Sequence, residues 1–217
     1  MMNLSRDAME KSLRLNCSFQ ELTYLNEIDA RRLYLYGEIA SSDGCDDDCT
    51  FYASQAASIV KKIFDYNRED RGLRGVERQP IILYINSPGG ELAEGFSLVA
   101  AMKLSKTPIY TINTGMWSSM AFLIGITGSK RYSLPFMTFL MHEASGFSFG
   151  KISNMEDKIK FDRKFSDTVV KQHVLSHSRM TEEEYDRVVK NELYLLPEEA
   201  LKYGFIDEIV TDIDTIL

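Results

Sequence analysis

Two stretches of this chain repeat one grammar: a continuous apolar run, a short polar turn, then an apolar helical pattern. In the first, Ile81, Ile82, Leu83, Tyr84 and Ile85 lead into Pro88-Gly89-Gly90, and apolar residues then recur at Leu92, Phe96, Leu98, Val99 and Met102 until Pro108. In the second, residues 109–114 are rich in β-branched side chains, residues 115–119 form the turn, and residues 120–126 are apolar throughout. Uninterrupted apolar runs of this length suit strands buried on both faces of a parallel sheet, and the helices between them serve as crossovers. The pattern therefore predicts an α/β fold in which chemistry collects at the strand-to-helix turns.

The rest of the chain fits one domain. Its 217 residues, 44% of them hydrophobic, suffice for a single full core. Residues 1–30 are polar and weakly patterned and read as an arm ahead of a domain over 31–217, whose first strand comprises residues 33–36 and closes at Gly37. A helical period follows through Phe51, Ala56, Ile59, Val60, Ile63 and Phe64, and the charged, glycine-broken residues 67–79 read as an exposed loop. Residues 151–176 contain no Gly or Pro and carry Ile152, Met155, Ile159, Phe165, Val169 and Val174 at helical spacing, which predicts one long helix. Its narrow apolar stripe suits contact with another subunit better than a core. Thr181 to Glu184 is a capping box, Pro197 opens a further helix that Gly204 ends, and residues 205–210 offer a last strand.

Composition excludes several functions. The formal net charge is −7 and no Lys/Arg block exceeds two residues, which argues against nucleic acid or an anionic membrane surface as partner. No apolar run approaches the roughly 20 residues needed to span a bilayer, and residues 1–7 lack the features of a secretory signal. Three cysteines, Cys17, Cys45 and Cys49, make no disulfide framework, so a reducing, cytoplasmic setting is expected. Cys45 and Cys49 with Asp46, Asp47 and Asp48 could be read as metal ligands, but no second ligand pair accompanies them, and acids favoured by a helix N-terminus are the plainer reading. His173 and His177, at i and i+4, have no third ligand spaced to join them and are expected to be an exposed or inter-subunit pair.

One constellation carries acyl-transfer chemistry. Ser119 follows a strand and opens a helix, where its hydroxyl faces the mouth of the fold beside unpaired backbone N–H groups. His142 closes the strand-like residues 138–141, and Asn86-Ser87-Pro88-Gly89-Gly90 is a flexible donor loop. Together they supply a nucleophile, a base and oxyanion donors.

Over residues 33–210 the sequence resembles the proteolytic subunits of Clp proteases, serine peptidases of the crotonase-like superfamily. Residues 83–90 resemble that family's oxyanion-loop strand, Gly115-Met116-Trp117-Ser118-Ser119-Met120-Ala121-Phe122 matches its G-x-A-A-S-M-G-A-F element, and residues 134–142 match its L-P-N-S-x-x-M-I-H element. The resemblance implies an α/β crotonase-like fold of repeated β-β-α units with a protruding handle helix, Ser119 as nucleophile, His142 as base, and the N–H groups of Gly90 and Met120 as oxyanion donors. The family's third triad member is an aspartate before an S-A-x-E-A segment; the match places Glu192 there, with Asn191 as the alternative orienter. The resemblance further implies peptide-bond hydrolysis of unfolded proteins inside stacked heptameric rings, joined through residues 146–150 and the long helix and fed by a separate Clp-type ATPase. It implies no cofactor and no metal. Trp117 and Ser118 stand where the family has two alanines, a glycine after the Ser-Met pair is missing, and the Ser-to-His interval is two residues short, so Trp117 is expected to narrow or reshape the substrate groove. Two rival readings remain at this point: a ring subunit that has lost turnover, and a crotonase-fold acyl-CoA hydratase or thioesterase using Glu91 or Glu94.

Overall fold

A computed structural model of the chain describes residues 31–41, 54–143 and 151–216. The expected arm at 1–30, the Cys45–Cys49 cluster with its aspartates, and the 146–150 segment lie outside the described residues. The architecture is mixed α/β, with one seven-stranded sheet at its centre. Strands β1 (Arg32–Tyr36), β2 (Ile81–Ser87), β3 (Ile109–Ser118), β4 (Lys130–Ser133) and β7 (Glu208–Ile209) lie side by side in that order, and every pair is parallel. β5 (Thr138–Met141) pairs with the outer part of β3, and β6 (Leu193–Leu195) adds to β5 antiparallel.

Side-chain alternation explains the layering. Along β2, Ile81, Leu83 and Ile85 are fully buried on one face, where α1 (Gln55–Glu69) and α2 (Leu92–Leu104) cover them with Ile59, Ile63, Leu98 and Val99. Ile82 and Tyr84 point the other way, into a smaller cluster with Ile112, Tyr132, Val210 and Ile216. Helix α3 (Met120–Gly125) is buried at every position, which its wholly apolar sequence requires.

The long helix runs as predicted, from α4 (Ile152–Phe165) through a π-helical segment (Ser166–Val170) into α5 (Lys171–Ser176). Its two ends differ in environment. Around α5, Val174 and His173 are buried against the body, whereas Ile159 and Phe161 on α4 stand exposed. The capping box at Thr181 opens α6 (Glu182–Val188), and Pro197 opens α7 (Pro197–Tyr203).

Several boundaries differ from the sequence reading. Residues 67–69 belong to α1 and residues 71–77 are exposed, as expected, but Asp70 between them is a buried anchor: its carboxylate accepts from the two terminal Arg31 guanidinium nitrogens at 2.8 and 2.7 Å and from the Thr107 hydroxyl at 2.7 Å. This ties the entry of β1 to the end of α1 and the start of β3, and the Arg31 charge holds the buried Asp70 carboxyl below its usual range. The last strand shortens to Glu208–Ile209 because Phe205 and Ile206 turn into the core. His173 is not an exposed residue. Its Nε2 lies 3.0 Å from the Leu123 carbonyl and 3.1 Å from the Thr127 hydroxyl, so that nitrogen is satisfied inside the fold, and desolvation lowers the pKa to about 4.

Candidate active site

The site begins where β3 changes partner. From Tyr110 to Asn113 the strand pairs with β4, and from Met116 to Ser118 with β5. At the fork sits Asn113, fully buried, donating from Nδ2 to the Thr138 carbonyl at 3.0 Å and accepting the Gly115 N–H at 3.0 Å. An amide can tie the strand to its new partner and brace its own next turn at once because it carries a donor and an acceptor. Sequence reasoning passed over Asn113, since a lone amide in a strand gives no signal.

The strand then breaks at Ser119. This residue has φ 55° and ψ −122°, a conformation a non-glycine residue rarely holds and which costs about 1–3 kcal/mol. The surroundings enforce it: the Ser119 N–H donates to the Leu140 carbonyl of β5 at 2.9 Å, while its own carbonyl accepts from Phe122 and Leu123 at 3.1 and 3.3 Å to start α3. The backbone is thus held from both sides of the elbow. The arrangement also separates the two adjacent serines, because Ser118 is buried at the strand end whereas Ser119 faces a cavity. As the first residue of a helix, Met120 has an N–H with no partner within that helix.

The donor loop lies directly against the elbow. Gly89 and Gly90 have φ values of 96° and 144°, and a Cβ on Gly89 would stand 2.6 Å from the Ser118 carbonyl oxygen, 2.7 Å from the Ser119 Cβ and 2.9 Å from the Met120 nitrogen. A side chain on Gly90 would collide with the Ile39 carbonyl. Both glycines are therefore demanded by close approach as well as by dihedral angle. The loop is pinned by the segment after β1: the Ile39 N–H donates to the Gly89 carbonyl at 2.8 Å and the Glu91 N–H to the Ile39 carbonyl at 2.7 Å. These two bonds fix Gly90 from outside its own loop. Nothing in the sequence pairs Ile39 with a turn fifty residues later, so its part was missed.

His142 follows β5 directly and is half-buried. Ser119, His142, Gly89 and Gly90 line one open cavity of about 670 Å³, together with Pro88, Leu92, Ala93 and the carboxylates Glu38 and Glu91. The structure thus brings together the expected nucleophile, base and donor loop. Glu192 stands at the end of β6, one step beyond the Met141–Leu193 pair, with φ 43°. Its carboxylate accepts from the Tyr194 hydroxyl at 3.0 Å, a bond that raises the tyrosine pKa. Asn191 donates instead to the Arg187 carbonyl at 3.3 Å. Neither side chain is bonded to His142 among the described residues. Glu94 is not on the cavity wall, and its carboxylate accepts from Ser54 at 2.5 Å.

Trp117 departs from expectation. It is wholly buried, edge-on to Phe139 at 5.4 Å and against Gly125, so it fills the core behind the elbow and does not reach the groove. The physical reason is the break at Ser119: its φ of 55° ends the alternation that would put residues 117 and 119 on one face, and the indole packs into the space left by the missing Cβ of Gly125. Its indole N–H has no hydrogen-bond partner among the described residues. Among the described residues there is no cluster of His, Cys, Asp and Glu able to hold a metal ion, and no helix long and apolar enough to cross a membrane.

The family model described as Clp protease matches residues 53–212. The ATP-dependent Clp protease proteolytic subunit of Deinococcus radiodurans is 34% identical over 134 residues, covering 61% of this chain and 65% of that protein. That of Dehalococcoides mccartyi is 30% identical over 154 residues, 70% of this chain and 74% of the relative, and subunit 2 of Thermobifida fusca is 29% identical over 162 residues, 72% and 75%. With a family model spanning β2 to β7, Ser119 and His142, this chain belongs to the Clp protease family, a family of serine-type peptidases.

Proposed function

We propose that this chain is a serine endopeptidase subunit that hydrolyses peptide bonds of unfolded proteins through an acyl-enzyme on Ser119. The observation that carries the reading is the single cavity shared by Ser119, His142 and the Gly89-Gly90 loop, with the serine held in a strained elbow. In the first half-reaction the Ser119 oxygen attacks the peptide carbonyl while His142 takes its proton, and the oxyanion is met by the N–H groups of Gly90 and Met120. The carbon–nitrogen bond then breaks as His142 returns that proton to the leaving amine. Water attacks the resulting ester, giving its proton to His142, and the serine leaves reprotonated with the acid product released. Glu192 is the candidate orienter of the imidazole, with Asn191 the alternative.

The same reading assigns the remaining parts. The chain takes the crotonase-like framework, and α4 is the handle by which rings stack. Ile159 at 53% and Phe161 at 61% exposure are apolar surface that a second copy would cover. Seven-membered rings in two layers would enclose the sites, in a cytoplasmic setting, with a separate Clp-type ATPase delivering unfolded substrate.

The test is digestion of an unfolded protein by the purified chain, alone and with candidate ATPase partners, alongside sedimentation. We expect cleavage that Ser119→Ala abolishes, and a particle far larger than the 24.8 kDa monomer in both proteins. Undiminished cleavage by Ser119→Ala, or a stable monomer, would contradict the proposal.

A further inference from the structure

Resting on the peptidase reading above, we propose that this enzyme prefers substrates with a lysine or arginine within a residue or two of the scissile bond, because Glu38 and Glu91 give the nucleophile's cavity an unneutralised acidic wall. Position is what sets these two carboxylates apart. Unpaired acids on an open surface are commonplace, whereas these stand on the wall of the cavity that holds Ser119, His142 and the oxyanion loop, and no Lys or Arg lines it.

Their backbones belong to the ladder that sets the donor loop. Glu38 lies between Gly37, whose N–H donates to the Asn86 carbonyl at 3.0 Å, and Ile39, whose N–H donates to Gly89. Glu91 follows Gly90 directly, its N–H donating to Ile39 and its carboxylate accepting the Ser41 hydroxyl at 2.9 Å. A peptide carbonyl seated at the Gly90 N–H would put the adjoining substrate residue one step from Glu91. The backbones that carry the two carboxylates are therefore held beside the Gly89-Gly90 loop.

They also lack a cation. Several other acids of the fold are paired: Asp65 with Lys61 and Arg68, Asp70 with Arg31, Asp207 with Arg131, and Asp186 with Lys171. No such partner meets Glu38 or Glu91 among the described residues. Both side chains are solvent-exposed, so forming an ion pair with substrate carries little desolvation cost. The same exposure keeps the effect modest: an exposed pair corresponds to about 1.4- to 5-fold, and two together to about 2- to 25-fold, with the middle of that range expected here.

The experiment uses the full chain and internally quenched peptides that differ only in carrying Lys, Leu or Glu on either side of the cleaved bond, with kcat/KM as readout. We expect Lys to exceed Leu by about 3- to 10-fold in dilute buffer and Glu to fall below Leu, with the ratio shrinking below about twofold near 0.5 M salt. The Glu38→Gln/Glu91→Gln double variant should lose the Lys preference; because the ratio is taken within each protein, partial misfolding does not mimic the result. Leu peptides cleaved as fast as Lys peptides by the unmodified chain, or a Lys preference surviving in the double variant, would overturn this inference while leaving the peptidase reading intact. Failure to cleave any peptide, with Ser119 also inert to a fluorophosphonate, would overturn both.

Discussion

Replacing Gly89 with alanine should uncouple the oxyanion loop from the nucleophile while leaving the fold in place. The new methyl would stand 2.6, 2.7 and 2.9 Å from the Ser118 carbonyl oxygen, the Ser119 Cβ and the Met120 nitrogen. Non-bonded contacts to carbon settle near about 3.5 Å, so the loop must retreat by roughly 0.6–0.9 Å, or the elbow must. A displacement of that size at a preorganised site costs on the order of 100-fold, and loss of one oxyanion donor about 100- to 1,000-fold. The backbone cost of alanine at φ 96° is about 1–3 kcal/mol, equivalent to roughly 2–12 °C in melting temperature for a chain of this size. Gly72 supplies the control: its φ is 95°, yet a Cβ there meets nothing within 4 Å. Peptidase kcat and thermal melting of the two variants separate the contributions. Gly72→Ala should lower the melting temperature and keep its turnover, whereas Gly89→Ala should lose about 100-fold or more in kcat while still melting cooperatively. Full turnover in folded Gly89→Ala would refute the assignment of this loop as the oxyanion cradle.

Other expectations follow from the same geometry. On the proposal that Glu192 orients His142, Glu192→Gln should lower kcat at least about 100-fold and Asn191→Ala less than about threefold; the reverse ranking would move the orienting role to Asn191, and no loss in either variant would remove it from both. For His173, burial depresses the folded pKa to about 4 from 6.5, so the unfolded chain binds the extra proton first as pH falls. Its contribution to stability is complete above about pH 6.5 and is lost progressively toward pH 4, up to about 3 kcal/mol, with His177 shifted in the same direction. Melting temperature against pH should therefore fall more steeply below pH 6.5 in the native protein than in His173→Leu, and equal slopes would contradict this.

How far the chain could be read in advance depended on the range of the interactions involved. The runs over 81–85 and 109–114 announced buried parallel strands because both faces of each strand are covered, which forces continuous apolar sequence. β4, β6 and β7 span four, three and two residues, too short for any period to register. Ser119, His142 and the Gly-Gly turn were visible since each sits at a strand end in a recognisable local pattern. Ile39, which pins the donor loop, and Asp70, which ties three elements together, act across 50 and 39 residues and leave no local trace. Trp117 was misplaced for a related reason: sequence proximity to a nucleophile does not say which face of the strand a side chain takes.

The central claim is that Ser119, and neither Ser118 beside it nor Ser87 in the donor loop, is the activated hydroxyl. Its most direct test is reaction of the purified chain with an alkyl fluorophosphonate followed by mass-spectrometric mapping of the adduct. The account predicts one phosphonyl group per chain on Ser119, lost in His142→Ala. An adduct on Ser118 or Ser87, or labelling of Ser119 at the same rate without His142, would contradict it.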